Sequence, residues 1–407
     1  MADPTSPPDG IVQGLPASAQ RYLVGGAVRD RLLGLPVQDR DYVIVGTTAE
    51  ALVALGYVPV GRDFPVFLHP HTHEEHALAR TERKTAPGYR GFVFHAAADV
   101  TLEQDLARRD LTINALAQAD DGSIVDPFGG QADLQTRVLR HVSAAFSEDP
   151  VRILRLARFA ARFTDFTVAP ETARYMQEMV RHGEVDALVP ERVWQEFSRG
   201  LMEARPSRMI DVLRACSALT HLLPAVASLW QGDGAAGDRV MAQLDGAAAA
   251  GAGLPVRTAV LFQSITLAAP GDGCLDTTAI EATCTDLKIP VECRDLAVAT
   301  GRERELLRIA PDGAASAIAL LERCDAFRKP ERFGLLLEAV GLLVSHEESD
   351  ADHARALRWW HQAGCAARSV DAGGVARAVR QTWPNDPMRI NQAVRDARIA
   401  AVAAIPS

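Results

Sequence analysis

Asp39 and Asp41, two residues apart, and the pair Gly25-Gly26 upstream of them are the residue types that metal-assisted phosphate chemistry requires. Two adjacent glycines after the apolar run Tyr22-Leu23-Val24 let the backbone approach a phosphate closely. A helix starting there aims its first N–H groups at the same anion. Asp39 and Asp41 head a strand pattern, Tyr42-Val43-Ile44-Val45. Alternation places both carboxylates on one face and Arg40 on the other. Such a pair can hold Mg2+, which lowers the pKa of an attacking hydroxyl and neutralises a leaving pyrophosphate. Alone, D-x-D could simply flank a turn. With Gly25-Gly26 before it and Arg29 one turn into the helix, nucleotide chemistry is the better reading.

Two further clusters extend it. Arg108-Arg109-Asp110-Leu111-Thr112-Ile113-Asn114 gathers two arginines, an acid and an amide, enough to clamp a triphosphate and a ribose, although solvated charges capping a strand would look the same. Glu148-Asp149-Pro150-Val151-Arg152 reads as a helix start, with Asp149 as N-cap and Pro150 at the first helical position. Along that helix Arg152, Arg155, Arg158 and Arg162 fall within an arc of about 120°. Four guanidinium groups on one stripe repel one another unless an anion lies there. Asp149 and Arg152 together offer the acceptor and donors that read a base edge. By contrast His69, His71, His73, Glu74, Glu75 and His76 imitate a zinc site, but they follow Pro70 between two strand patterns, where a polar hairpin turn belongs.

The elements that must position these groups change character along the chain. Strand patterns occupy 22–24, 41–45, 57–60, 66–68, 76–80 and 112–118, with short helical patterns at 28–33 and 49–55. This mixed α/β unit ends near His141, and the remainder reads as helix almost throughout. Candidate breaks fall at Pro190, at Pro206, across the Gly/Ala-rich span 232–253, around 270–273, at Gly373-Gly374 and at 384–387. A length of 407 residues allows two or three domains, with ordinary globular composition at 48% hydrophobic and 23% charged. No apolar run approaches a membrane span. Residues 1–20 lack any Lys or Arg and read as a disordered lead rather than a secretory signal. Cys216, Cys274, Cys284, Cys293, Cys324 and Cys365 form no C-x-x-C pair, which favours reduced thiols in a cytoplasm. The net charge of −9 argues against coating nucleic acid by bulk charge, though a local basic face would suffice. Lys84, Lys288 and Lys329 are the only lysines, so phosphate binding must be arginine work, and no G-K-[S/T] supports a P-loop.

Taken together, the stretches Tyr22-Leu-Val-Gly-Gly-Ala-Val-Arg-Asp30, Asp39-Arg-Asp41, Gly61-Arg-Asp-Phe-Pro-Val-Phe-Leu-His-Pro70, Ala77-Leu-Ala-Arg-Thr-Glu-Arg-Lys84, Arg108-Arg-Asp-Leu-Thr-Ile-Asn-Ala-Leu116 and the helix from Glu148 to Arg162 resemble the class II tRNA nucleotidyltransferases, the CCA-adding enzymes, in their enterobacterial-type branch. The likeness is dense over residues 21–215. It implies a polymerase-β-like α/β head with a mixed sheet, followed by an all-α neck, body and tail. The corresponding segments are a head at 21–141, a neck at 142–205, a body at 206–330 and a tRNA-binding tail at 331–407. It further implies that Asp39 and Asp41 are catalytic and bind Mg2+, that Gly26 and Arg29 hold the triphosphate of ATP or CTP, and that Arg109, Arg155 and Arg158 contact the nucleotide. Asp149 and Arg152 would pair with cytosine or adenine in place of a template. The partner would be tRNA, whose 3′ hydroxyl attacks the α-phosphate so that pyrophosphate leaves.

One departure stands out. Relatives of this branch carry a C-terminal HD phosphohydrolase domain, and Gln263-Ser264 stand where its His-Asp pair would be. Between Gly183 and Ser345 the only histidine is His221, too few for a histidine-rich metal cluster. Phosphohydrolase activity is therefore expected to be absent. A poly(A) polymerase, or a CC- or A-adding specialist, would use the same site. The stretch 82–103 matches the flexible loop of complete CCA-adding relatives, and no long basic tail follows. A catalytically silent RNA-binding protein is a third reading, against which the two aspartates count.

Overall fold

The Asp-bearing strand is central to its sheet. β1 (Gln20–Val24) pairs antiparallel with β2 (Asp41–Val45), and α1 (Gly26–Leu32) lies between them in sequence. After α2 (Ala49–Ala54) come β3 (Val58–Val60), β4 (Val66–Leu68) and β5 (Glu75–Leu78). β6 (Thr81–Lys84) and β7 (Phe92–His95) form a separate antiparallel pair. α3 (Leu102–Ala107) opens with a Thr101/Gln104 capping box. β8 (Ala117–Ala119) and β9 (Ile124–Val125) complete a seven-stranded sheet of order β3-β4-β5-β2-β1-β8-β9. Only β2–β5 is parallel, so the sheet is mixed. Its apolar faces bury Val24, Val43, Leu106 and Ala117 in one cluster, and Ile44, Leu52, Tyr57 and Phe67 in another. α4 (Gly130–Thr136) precedes β10 (Val138–Leu139), which pairs in parallel with β11 (Thr167–Val168) across α5 (Val151–Arg162). The computed structural model describes residues 16, 18–60, 66–84, 92–268, 276–344, 350–384 and 386–406. Most of the expected lead (1–15 and 17), the 61–65 part of one motif, the 85–91 part of the loop and the break at 270–273 lie outside the described residues.

Helices follow: α6 (Pro170–Arg181), α7 (Pro190–Leu201), α8 (Ser207–Ala215) and α9 (Ala218–Leu222). The chain divides into two compact units, Met1–Gly200 with Arg208–Leu222, and Leu201–Ser207 with Leu223–Ser407. The second unit is helical: α10 (Pro224–Ala227), α11 (Ala235–Ala249), α12 (Leu254–Phe262), α13 (Thr278–Asp286), α14 (Val291–Leu307), α15 (Ala314–Arg323), α16 (Pro330–Val344), α17 (Asp350–Ser369), α18 (Ala372–Thr382) and α19 (Pro387–Ala403). A mixed-sheet head followed by helices is the expected fold class.

Three local expectations are corrected. Residues 112–118 are not one strand: Thr112–Asn114 form a 3-10 turn, and only Ala117–Ala119 join the sheet. There the polar side chains bond to buried acids rather than alternating across a sheet, with Thr112 Oγ1 donating to Asp133 and Asn114 Nδ2 donating to Asp110. The Gly/Ala-rich span is not a break, because most of it, Ala235–Ala249, forms α11, helped by alanine's helix preference. Gly373-Gly374 sit inside the first turn of α18, where the Asp371 carboxylate caps the Gly374 N–H at 2.8 Å. The histidine segment is the expected turn between β4 and β5. His69 Nδ1 accepts the N–H groups of His71 and Thr72, while His76 is fully buried and stacked on Tyr42 with ring centroids 4.7 Å apart.

Candidate active site

A cavity of about 770 Å³ in the first unit brings together Gly26, Arg29, Asp39, Asp41, Arg109, Asp149, Arg152, Arg155 and Arg158, every site residue anticipated from the sequence. Gly25, Arg108, Asp110, Asn114 and Arg162 line it as well, as do four residues of α7: Arg192, Gln195, Glu196 and Arg199.

Asp41 opens β2 and Asp39 lies just ahead of it, so the pleat turns both carboxylates to the cavity. Arg40 faces away and pairs with Glu74 at 3.8 Å. Burial pushes the Asp41 pKa up; Arg109 opposes this and the neighbouring Asp39 carboxylate adds to it. Among the described residues neither Asp39 nor Asp41 makes a hydrogen bond or an ion pair, and no third His, Cys, Asp or Glu joins them in a metal-ligating group.

Every other acid near the cavity is held by arginine. Asp105, fully buried on α3, takes Arg108 Nη2 at 2.6 Å and Arg109 Nη2 at 3.2 Å. Asp110 accepts from Leu111 N, Asn114 Nδ2 and Arg155 Nε at 2.8, 3.0 and 2.7 Å. Burial alone would raise its pKa, but Arg155 and these donors outweigh it and hold the carboxyl well below the usual range. A carboxylate so occupied has little left for a metal. Glu196 on α7 takes Arg158 at 2.7 Å, and Asp30 on α1 takes Arg162 at 2.9 Å. Three arginines of the α5 stripe, Arg155, Arg158 and Arg162, are thus met by the protein's own carboxylates, which the sequence argument left out.

Arg29 is 3% exposed. Its guanidinium donates to Asp30 at 2.8 Å and Asn114 Oδ1 at 2.5 Å, and lies over Phe159 and Phe163. Burial lowers its pKa, and Asp30 works against that shift. Gly25 turns into α1 with φ 67°, and a Cβ there would stand 2.7 Å from Arg109 Nη1. At the head of α5 the helix begins one residue later than expected, with Pro150 as N-cap. The Asp149 carboxylate accepts the Val151 N–H at 3.1 Å and both Nη groups of Arg192 at 3.2 and 2.8 Å. Arg152 donates instead to the Ala145 carbonyl at 2.8 Å.

The partners Asp105, Asp30, Glu196 and Arg192 carried no role in the sequence reading. The spacing of Arg192, Gln195, Glu196 and Arg199, three or four residues apart on one helix, was the available signal.

Residues 21–140 match the family model "Poly A polymerase head domain", and residues 165–229 match "Probable RNA and SrmB-binding site of polymerase A". The multifunctional CCA protein of Janthinobacterium sp. (strain Marseille) is 55% identical over 94% of this chain and 97% of its own length. That of Azoarcus sp. (strain BH72) is 54% identical with the same coverage of both. Among solved structures, the Thermotoga maritima CCA-adding enzyme complexed with tRNA superposes with TM-score 0.65 at 20% identity, covering 96% of this chain and 88% of that one. The Bacillus stearothermophilus CCA-adding enzyme in complex with CTP does so with TM-score 0.64 at 23% identity, covering 99% and 93%. At these identities the two structures speak for the fold alone.

Proposed function

The chain belongs to the CCA-adding tRNA nucleotidyltransferases, the family of the multifunctional CCA proteins, and we propose that the cavity beside β2 adds C, C and A to a tRNA 3′ end from CTP and ATP with Mg2+. The observation that carries the site assignment is the pair of unpartnered carboxylates, Asp39 and Asp41, in a cavity whose other acids all engage arginine. Two neighbouring carboxylates with no ion pair or hydrogen bond among the described residues suit a divalent ion by charge and by oxygen chemistry. When bound there, Mg2+ acidifies the attacking hydroxyl and offsets charge on the leaving pyrophosphate.

The chain's own residues do the rest. Gly25-Gly26 leave room for the triphosphate beside Arg109, which Asp105 holds in place. The tRNA 3′ oxygen forms a bond to the α-phosphorus as the bond to the bridging oxygen breaks, and pyrophosphate departs. Asp149 accepts a hydrogen bond from the exocyclic amine of cytosine or adenine, and Arg152 donates to the adjacent ring nitrogen. Guanine and uracil turn a carbonyl oxygen to Asp149 instead, which repels the carboxylate. Arg192 fixes the Asp149 rotamer from α7. Further partition into a neck at 142–205, a body at 206–330 and a tRNA-binding tail at 331–407 belongs to the same reading, as does a reducing cytoplasm. Cys216, Cys284, Cys293, Cys324 and Cys365 are free thiols, consistent with such a compartment.

The body is proposed to lack phosphohydrolase activity. Gln263 and Ser264 are buried, and Arg304 donates to both the backbone and side-chain oxygens of Gln263. A fixed positive charge there opposes a metal.

The test is incubation with tRNA lacking its 3′ CCA and with CTP alone, ATP alone or both, followed by sequencing of the product ends. CC from CTP and CCA from both are expected. Runs of A would establish a poly(A) polymerase, a halt at CC a partial enzyme, and no extension a silent binder.

A further inference from the structure

Asn114 lines the cavity of the first unit and has no part in the steps above. It closes the 3-10 turn Thr112–Asn114 and is 6% exposed, so both ends of its amide need partners. Oδ1 accepts Arg29 Nη1 at 2.5 Å, and Nδ2 donates to Asp110 Oδ1 at 3.0 Å. The charges on either side fix that orientation. Reversed, the amide would set N–H groups against a guanidinium and an oxygen against a carboxylate.

Both neighbours lead on to α5. Asp110 Oδ2 accepts Arg155 Nε at 2.7 Å. Arg29 Nε donates to Asp30 Oδ1 at 2.8 Å, and Asp30 Oδ2 accepts Arg162 Nη2 at 2.9 Å. Arg155 and Arg162 lie about two turns apart on α5, so the chain of bonds returns to the helix it left. Asn114 is the one uncharged link in this ring and the one that both donates and accepts. Glu196 stands outside the ring, 3.9 Å from Arg155. Arg29 keeps one edge unused: Nη2 makes no hydrogen bond among the described residues and lies 3.4 Å from the place of a Gly26 Cβ.

We propose that Asn114 is a positioning residue that aims Arg29 Nη2 at a phosphate seated on the Gly25-Gly26 turn, an inference that rests on the reading of this cavity as the nucleotide site. Without the amide, the hydrogen bonds of Arg29 reduce to Asp30, its own neighbour in sequence, and the guanidinium turns about that single contact. A carboxylate in the same place accepts from Arg29 but repels Asp110, and an apolar group bonds neither. An amide of this length serves both.

The experiment is a double-mutant cycle of wild type, Asn114→Ala, Arg29→Ala and the two together, with Asn114→Asp and Thr172→Val alongside. Thr172 bonds His141 in the same unit and does not line the cavity, so Thr172→Val registers the loss of a buried hydrogen bond alone. Each protein is assayed below its thermal midpoint for KM and kcat with CTP and with ATP at saturating tRNA, and for inhibition by pyrophosphate. Asn114→Ala should raise both KM values and the pyrophosphate inhibition constant by about tenfold or more, the scale of one hydrogen bond to a charged group. Its kcat should hold within about twofold, and adding it to Arg29→Ala should cost nothing further. Asn114→Asp should lose as much as Asn114→Ala, whereas Thr172→Val should lower the thermal midpoint and leave KM alone.

Losses that multiply in the double variant overturn the proposal, as does a fall in kcat alone, a rise in KM for only one nucleotide, a wild-type KM in Asn114→Asp or an equal rise in Thr172→Val. Should Asn114→Ala fail to fold, Asn114→Asp combined with Arg29→Ala completes the same cycle. Arg29→Ala with an unchanged KM refutes the nucleotide reading of Arg29 and the proposal with it. An impaired Arg29→Ala beside an unimpaired Asn114→Ala refutes the proposal alone.

Discussion

Arg192 grips Asp149 through both Nη groups, at 3.2 and 2.8 Å, across 43 residues of chain. The acid at the head of α5 is thus oriented by a different helix. Arg192→Lys keeps the charge and loses the fork. Incorporation of CTP and ATP should fall on the order of 100-fold in kcat/KM, the scale of a misplacement of about 1 Å. UTP misincorporation should rise relative to CTP, while the thermal midpoint barely moves. Single-turnover assays with each nucleotide read both effects. A uniform loss for all four nucleotides would mean that Arg192 does not act through Asp149.

Asp39→Asn and Asp41→Asn preserve shape and remove the charge that the cavity leaves unneutralised. Each should reduce incorporation by about a thousandfold or more, the scale of losing a group that stabilises transition-state charge. Affinity for tRNA should be retained. Chelation of divalent ions should reproduce the loss in wild type, and added Mg2+ should restore it. Normal incorporation by either variant refutes the metal assignment.

Gly25 has φ 67°, and any side chain there meets Arg109. Gly25→Ala should cost about 1–3 kcal/mol of stability from the backbone alone. It should also raise nucleotide KM by displacing Arg109, an effect on KM that Arg109→Ala should match, its own stability loss coming from the Asp105 pair rather than from the backbone. Chemical denaturation and steady-state kinetics separate the two contributions.

These tests divide along what a sequence can carry. That Asp39, Asp41, Gly26 and Asp149 share one cavity was legible because each is marked by local spacing: a pleat, a tight turn, a helix head. Asp105, Glu196, Asp30 and Arg192 were not, because each acts by neutralising or aiming a group brought near by the fold. Arg158 meets Glu196 across 38 residues and Arg162 meets Asp30 across 132. From sequence the α5 stripe looked like uncompensated charge; in the fold it is a row of ion pairs. Residues 112–118 misled for a related reason. Their β-like run conceals Thr112 and Asn114, whose side chains bond inward and tighten the backbone into a turn. Composition misled at 235–249, where alanine's helix preference outweighs the glycines among them.

His76 gives a pH signature independent of catalysis. Burial lowers its pKa from 6.5 to about 4; its Nδ1 faces the Glu74 carbonyl, and its Nε2 has no hydrogen-bond partner. Between these two values the unfolded chain binds a proton that the folded site refuses. Stability is therefore full above pH 6.5 and falls as pH drops towards 4, by on the order of 2–3 kcal/mol from this residue. His76→Phe keeps a flat ring against Tyr42 and cannot protonate. Its stability should vary less between pH 6.5 and 4 than that of wild type, with the remaining slope due to His69 and His141, whose pKa values burial also lowers. Equal slopes in urea titrations of the two proteins would show that His76 is not the buried base.

The body supplies the last test. Arg304 is 4% exposed, and its Nη1 donates to the Gln263 carbonyl at 2.7 Å and to the Gln263 side chain. Gln263 Nε2 in turn reaches Gln243 Oε1 at 3.5 Å, and Gln243 Nε2 donates to the Leu343 carbonyl at 2.7 Å. The network sets neutral amides around one cation, whose Nε pairs with the half-exposed Glu305 at 3.1 Å, and among the bonds just named no imidazole takes part. Purified protein should not hydrolyse 2′,3′-cyclic phosphates with Mg2+, Mn2+ or Ni2+, and metal addition should leave the body's thermal transition unchanged. Arg304→Met should lower that transition, because it leaves the Gln263 oxygens buried without their donor, at about 1–3 kcal/mol for each orphaned group. Nucleotide addition measured well below the transition should survive the same substitution. Robust metal-dependent hydrolysis by wild type would show instead that a phosphohydrolase site is built from residues other than Gln263 and Ser264.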